Sequence, residues 1–369
     1  MWNNRLMPYN WEQPDWPQFR YDLTTVQDDL LAFAGKAGHV GGVLRSLPEE
    51  AQTQAILNVM IAEAVKTSEI EGEVLSRADV VSSIRNQLGL NRPPEAPGDP
   101  ASRGVGELMV EVRNTSQEPL REESLLAWHR MLMQGARGIA MGSWRDHAEP
   151  MQVVSGSAAH PRVHFEAPPA SRVPGEMERF IAWFNAGRET LRQPPVRAAL
   201  VHLYFESIHP FDDGNGRIGR ALAEKALSQG LERPVLLSLS RTIEGGKKAY
   251  YQALQEAQQS NEVTDWVRYF TRVVLDAQSE AEVLVDFILR KTRFFDRHKD
   301  TLNERQLRVI RRMLDEGPEE FEGGINARKY VGLTKVSKAT ATRDLRDLAR
   351  KGVLAPIGGG RSTRYELNL

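Results

Sequence analysis

Twelve consecutive residues, His209-Pro-Phe-Asp-Asp-Gly-Asn-Gly-Arg-Ile-Gly-Arg220, bring together the side-chain types that chemistry on a phosphate needs. Before them, Val201, Leu203, Phe205 and Ile208 give an apolar stretch that predicts a buried helix ending at His209. Gly214, Asn215 and Gly216 predict a turn whose free backbone N–H groups converge on one place, an anion-binding nest. A helix from about Arg217 to Gln229 then aims its positive N-terminus at the same place. Arg217 and Arg220 lie three apart, on neighbouring faces of that helix. Asp213 offers one carboxylate beside this basic pocket. A phosphate chain fits the nest, the arginines fit its charge, and the carboxylate fits a hard divalent cation. His209 stands next to such a phosphate as a general base. The chemistry implied is nucleotide-dependent transfer to a hydroxyl. The competing reading is a glycine turn between two helices with incidental charges.

The frame matches H-x-F-x-[DE]-G-N-G-R-x-x-R at every defined position, and in this it resembles the Fic family. Fic-domain adenylyltransferases transfer AMP from ATP to a protein hydroxyl. The resemblance spans roughly Glu50 to Leu289 and is strongest at the motif. It implies that His209 takes the proton of a Ser, Thr or Tyr hydroxyl and that Phe211 anchors the loop. It implies that Asp213 binds Mg²⁺ and that Gly214, Asn215 and Gly216 cradle the phosphates. Arg217 and Arg220 would hold the β- and γ-phosphates of ATP, so that pyrophosphate leaves. The kinase-like Doc relatives carry bulkier residues at the glycines, so Gly214 and Gly216 favour AMP transfer. Met151–Phe165 reads as a short hairpin with a Ser-Gly-Ser tip. By resemblance it is the flap that pairs with a target segment through Val163, His164 and Phe165. Tyr250 and Tyr251 resemble the pair that packs on adenine; core packing on a helix is the alternative. Gln258 stands where that family often has Asn.

A second pattern, Thr67-Ser-Glu-Ile-Glu71-Gly72, closes a helix that starts near Gln52. Ile56, Leu57, Met60, Ile61, Ala64, Val65 and Ser68 share one face of that helix, and Gly72 is a natural stop. Thr67 and Glu71 are i and i+4, so they face one side. The segment matches the family's inhibitory pattern [ST]-x-x-x-E-[GN]. That implies autoinhibition, with Glu71 neutralising the charge Arg220 would offer the γ-phosphate. An ordinary solvated glutamate is the alternative, and in some relatives the same glutamate serves AMP removal.

The elements that must position these residues are mostly helical. At 369 residues the chain is long enough for two or three domains, with ordinary globular composition, 41% hydrophobic and 26% charged. It has no cysteine, which excludes disulfides, zinc–thiolate sites and a cysteine nucleophile. No apolar run approaches a membrane span. The polar start argues against a secretory signal, so a cytoplasmic protein is expected. Residues 1–22 hold Trp2, Tyr9, Trp11, Trp16, Phe19 and Tyr21 among prolines, an extended arm expected to dock on its own domain. Val263–Phe295 predicts one or two long helices.

From Asn303 onward 14 Lys and Arg face 9 Asp and Glu, a net of +5, while the remainder nets −6. Helix, short helix, turn, helix from Lys338 to Lys351, and a strand pair around Gly-Gly-Gly give the order of a winged helix. Lys335, Lys338, Thr340, Thr342, Arg343 and Arg346 lie where phosphates or bases would be met. Asp344 and Asp347 dilute that face, and a protein partner is the alternative to DNA. The expected fold is mainly α: a helical Fic core with a β-hairpin flap, plus a C-terminal winged helix-turn-helix. The expected divisions are 1–95 (arm and inhibitory helix), 96–295 (catalytic core) and 300–369 (winged helix). The resemblance makes a homodimer possible, and no feature of the sequence decides it. The class competing with the transferase is a DNA-binding regulator whose core senses nucleotide.

Overall fold

The structure is a computed structural model describing residues 8–96, 98–157, 160–315, 324–359 and 363–369. Trp2 of the arm and residues 360–362 of the glycine-rich turn lie outside the described residues. Two compact units make up the chain: Met1–Gly38 with Ile56–Ala281, and His39–Ala55 with Glu282–Leu369.

The first unit contains most of α1 (Gln27–Ser46) and α2 (Glu49–Ile70), then α3 (Arg77–Gln87), α4 (Pro100–Asn114) and α5 (Glu122–Leu132). A hairpin follows, β1 (Gln152–Ser157) and β2 (His160–Glu166). Then come α6 (Val173–Thr190), α7 (Pro194–Ile208), α8 (Asn215–Gly230), α9 (Leu239–Gly245), α10 (Lys247–Ala257) and the first half of α11 (Thr264–His298). The long apolar stretch after Val263 is thus one helix.

Helix α7 is the axis of this unit. Every residue from Pro195 to Ile208 is buried, as expected of a helix that is apolar all round. Its two prolines sit in the first turn, where the missing N–H costs no helical bond. Phe180 of α6 meets Tyr204 of α7 edge-on, with centroids 5.2 Å apart. Helix α8 packs against α7 through small residues. A Cβ on Gly219 would lie 2.6 Å from Glu206 Oε1, so a larger residue there displaces that carboxyl. Helix α2 is tied down by buried Glu63, which accepts from the Ser238 hydroxyl at 2.7 Å and the Ser240 N–H at 2.9 Å.

The N-terminal arm docks on its own unit. Tyr9 packs edge-on against Phe165, centroids 4.9 Å apart. The Trp11 indole N–H donates to Glu166 O at 2.8 Å. Asn10 donates from its side chain to Ser207 Oγ and from its backbone to Gln258 O, each at 2.8 Å. The arm therefore holds the base of the hairpin, the end of α7 and the end of α10 together. In the hairpin, Gln152 pairs with Glu166 and Ser157 with His160, with a bulge between Val153 and Val154. Ser155–Ser157 continues the strand where the glycine had suggested a tip.

The second unit carries a winged helix-turn-helix: α12 (Glu304–Leu314), α13 (Ala327–Thr334), α14 (Lys338–Arg350), and a wing of β3 (Leu354–Ile357) and β4 (Arg364–Leu367). Ile325 bridges to Tyr365 beside the wing. Asn303 and Gln306 form a reciprocal cap on α12, and the Ser337 hydroxyl caps α14. Val309, Ile310, Met313, Tyr330, Leu345 and Leu348 fill the core. Asp344 is turned into it, accepting from the Tyr330 hydroxyl at 2.9 Å and from Arg305 at 3.3 Å. It does not dilute the basic face as its position on the helix had suggested. Among the described residues, no helix is long and apolar enough to cross a membrane.

Candidate active site

The loop between α7 and α8 is built by two left-handed residues. His209, at φ 52°, ends α7, and Gly214, at φ 81°, opens α8. The left-handed backbone is what favours glycine at 214; a Cβ there would also push aside the tips of Met133 and Leu132. Asn215 braces the loop. Its side chain donates to Phe211 O at 2.8 Å and accepts from Phe211 N–H at 3.0 Å. Phe211 is fully buried and stacks on His129, centroids 4.0 Å apart. His129 accepts from Gly142 N–H on Nδ1, which leaves Nε2–H to donate to Asp213 O at 3.2 Å. Burial holds this imidazole below its ordinary value, so it is neutral.

Arg145 ties down the other side of the loop. Its guanidinium donates to His209 O at 2.8 Å and Pro168 O at 2.6 Å. Nothing in the motif pointed to His129 or Arg145; the trace of His129 in the sequence is a polar residue inside an apolar stretch, and Arg145, between Trp144 and Asp146, has no such trace.

His209 opens onto a cavity of about 930 Å³, together with Asp213, Gly214, Gly216, Glu71 and Tyr251. Burial, then the charge of Arg145, lowers its imidazole to about 4. At neutral pH the ring is uncharged and carries a free lone pair, the form a general base needs. Its Nδ1 faces Glu206 Oε2 at 3.6 Å.

Both motif arginines are nearly fully buried and both meet carboxylates from the end of α2. Arg220 donates to Thr67 Oγ1 at 2.9 Å, to Thr67 O at 2.9 Å and to Glu71 Oε1 at 2.8 Å. Burial works against the Arg220 charge, and Glu71 with its neighbours outweighs it, so Arg220 titrates above its usual range. Arg217 pairs with Glu73 and, at 3.3 Å, with Asp213. Glu73 directly follows the Thr67–Gly72 pattern, and nothing in the sequence reading singled it out. Arg217 Nε and Arg220 Nη1 are buried with no hydrogen-bond partner among the described residues. Two orphaned cationic donors beside a backbone nest suit phosphate oxygens.

The remaining expected residues divide. Tyr251 is half-exposed at the cavity, its hydroxyl 3.4 Å from Glu71 Oε2. Tyr250 also lines the cavity although it is nearly fully buried, and its hydroxyl pairs with His202 Nε2 at 2.7 Å. Gln258 donates to Glu206 O at 3.2 Å. Val163 is exposed on β2, and His164 Nδ1 lies 3.1 Å from Gln255 Oε1. Phe165 is buried at the hairpin base against Tyr9, where it supports the strand. Asp213 is half-exposed, and no cluster of three metal-ligating side chains occurs among the described residues. One accessible carboxylate fits Mg²⁺, which takes few protein ligands and fills its shell with phosphate and water oxygens.

Comparison with known proteins bears on this site directly. Residues 119–227 match the Fic/DOC family. That segment holds α5, the hairpin, α6, α7 and nearly all of α8. Residues 9–90 match a domain of unknown function, DUF4172, and residues 322–368 match the C-terminal domain of DIP2311-like transcriptional regulators. Among curated relatives, the protein adenylyltransferase Fic of Culex quinquefasciatus is 34% identical over 100 residues, 27% of this chain and 18% of that protein. The Drosophila melanogaster protein of the same name is 32% identical over the same shares. The match thus spans less than a fifth of these relatives' length. In fold, the chain is similar to a Fic family protein from Desulfovibrio desulfuricans, with TM-score 0.51 and 20% identity over 91% of this chain and 95% of that one. A Fic-domain signalling protein from Bacteroides thetaiotaomicron gives 0.56 and 16% over 71% and 97%. The Fic/DOC match covers residues 119–227, the segment that carries the His209–Arg220 motif, and the solved structures share its fold.

Proposed function

We propose that the chain transfers AMP from ATP to a Ser, Thr or Tyr hydroxyl of a protein, itself included, and that Glu71 restrains the reaction by holding Arg220. The observation that carries this is the cavity lined together by a neutral His209, the Gly214–Gly216 turn and Glu71, whose carboxylate holds Arg220. In the reaction the target oxygen bonds to the α-phosphorus. The bond to the β-phosphate breaks, pyrophosphate leaves, and the hydroxyl proton passes to His209. Asn215 and Gly216 offer backbone N–H groups at the α8 N-terminus, joined by Gly214 N–H once it leaves Asp213 Oδ1, to which it donates at 2.5 Å; Arg217 and Arg220 hold the outer phosphates once their carboxylates move away. Mg²⁺ bound at Asp213 supplies charge neutralisation for the phosphates. Tyr251 offers a ring face for the base, and the exposed edge at Val163 and His164 offers a strand for the target segment. In this reading residues 1–95 carry the arm and brake, 96–295 the catalytic core, and 300–369 the tail module.

The test is incubation of the wild-type and Glu71→Gly proteins with α-³²P-ATP and Mg²⁺, followed by gel autoradiography. Label on protein that strengthens with Glu71→Gly is the expected result. A Glu71→Gly protein that binds ATP and labels nothing overturns the reading in favour of a nucleotide sensor.

A specific observation favours a further role for the tail. With Asp344 buried, Lys335, Lys338, Arg343 and Arg346 stand exposed on one side of the turn and α14. This surface suits a nucleic-acid backbone, and the match to a transcriptional regulator domain agrees. We expect the full chain to bind duplex DNA and Arg343→Ala/Arg346→Ala to weaken it on every sequence, reducing the slope of log K against log salt by about 2. Fluorescence anisotropy over a salt series measures both; an unchanged slope would falsify the assignment of these two arginines.

A further inference from the structure

Glu206 lies one turn before His209 on α7 and is 5% exposed. One of its oxygens, Oε2, is 3.6 Å from His209 Nδ1. The other, Oε1, is buried without a hydrogen-bond partner, and so is Nδ1 of His202, one turn earlier. Both orphans abut the same spot on α8: a Cβ on Gly219 would lie 2.6 Å from Oε1 and 3.0 Å from His202 Nδ1. Beyond, His202 Nε2 meets the Tyr250 hydroxyl at 2.7 Å. A row of polar groups thus runs through an apolar core from Tyr250 through His202 and Glu206 to the base. A proton on Glu206 Oε1 gives that oxygen a donor to offer His202 Nδ1, which accepts it when the His202 ring proton sits on Nε2.

We propose that Glu206 acts as a neutral carboxylic acid that positions His209, donating from Oε1 toward His202 and accepting at Oε2 from His209 Nδ1–H. This arrangement keeps the proton of His209 on Nδ1 and leaves Nε2 as the lone-pair nitrogen for the target hydroxyl. Burial and the Glu71 charge raise the Glu206 carboxyl to about 8 against the pull of Arg220, so the neutral form is present at pH 7. His202 is neutral as well, burial lowering it to about 3. The Glu206 main-chain carbonyl also faces the His209 ring, and it stays in place in any side-chain variant. Glu206 is therefore a positioning residue, and an uncharged side chain with one donor and one acceptor reproduces its part.

The inference rests on the AMP-transfer reading and deepens it. It is tested in the Glu71→Gly protein with two variants, Glu206→Gln and Glu206→Leu. Glutamine keeps both hydrogen-bonding functions; leucine keeps only volume. The expected result is kcat within about threefold for Gln and reduced at least about tenfold for Leu, with KM for ATP within about twofold in both. Equal losses for Gln and Leu mean that charge is required and overturn the proposal, as do two variants of unchanged rate. A KM that rises in step with the loss of kcat assigns Glu206 to ATP binding and also overturns it. Where the leucine protein does not fold, or the Glu71→Gly protein binds ATP without transferring AMP, ¹⁵N spectra of the His209 ring decide alone. The proton on Nδ1 in both the parent and Glu206→Gln supports the proposal; the proton on Nε2 in either overturns it.

Discussion

In the Glu71→Gly background, His209→Ala is expected to cut AMP transfer by about 10²- to 10⁴-fold while ATP affinity stays within about threefold. The imidazole sits where α7 ends, with its backbone fixed by Arg145 and its side chain 14% exposed at the cavity. The groups suited to phosphate lie five to eleven residues further on, in the Gly214–Gly216 nest and on α8, and alanine at 209 touches none of them. The substitution thus removes proton acceptance without removing binding. It also leaves the fold intact, because the left-handed turn at 209 is secured by carbonyl contacts and not by the imidazole. Rapid-quench labelling gives the rate and isothermal calorimetry the affinity. Transfer at an undiminished rate would sink the assignment of His209 as base.

The second expected result concerns the two carboxylates at the end of α2. Glu71→Gly should raise transfer by about 10- to 100-fold, because it frees a charge-assisted bond on Arg220 of the kind worth roughly 1.5–3 kcal/mol. The Glu71 side chain is 27% exposed and its partner 1%, so solvent screens the pair only in part. Glu73→Gln in addition should add no more than a few-fold. Its side chain is 42% exposed, and pairs of that kind contribute about 0–1 kcal/mol. Both effects are read as kcat/KM for ATP, and Glu73→Gln alone should leave the brake largely in place. A Glu73→Gln protein as active as Glu71→Gly would reverse the order of importance and make Arg217 the controlled arginine.

What could be read ahead of the structure follows from where the partners lie along the chain. The motif from His209 to Arg220 is contiguous, so its turn and arginines were legible as a unit, down to the helix end at His209. Thr67 and Glu71 were legible because one helical turn puts them side by side. Glu73 was not, since a residue just past a helix end has no periodicity to reveal its direction. His129, Arg145 and Glu206 reach the site from other elements or from the buried side of α7, and a single sequence carries no mark of such contacts. The tyrosine pair shows the limit at its sharpest. Adjacent residues on a helix point about 100° apart, and only packing against His202 decides that Tyr250 meets the cavity from the core while Tyr251 stands half-exposed beside it. Asp344 makes the same point in the tail, where Tyr330 and Arg305 draw inward a charge that would otherwise weaken the basic face.

The order of the segments along the chain has a consequence during synthesis. Glu71 precedes Arg220 by 149 residues. At roughly 5–20 residues per second, the restraining carboxylate leaves the ribosome roughly 7–30 s before the arginine it holds. In the proposed reading, a nascent chain therefore carries the restraining glutamate before the loop that it restrains is made.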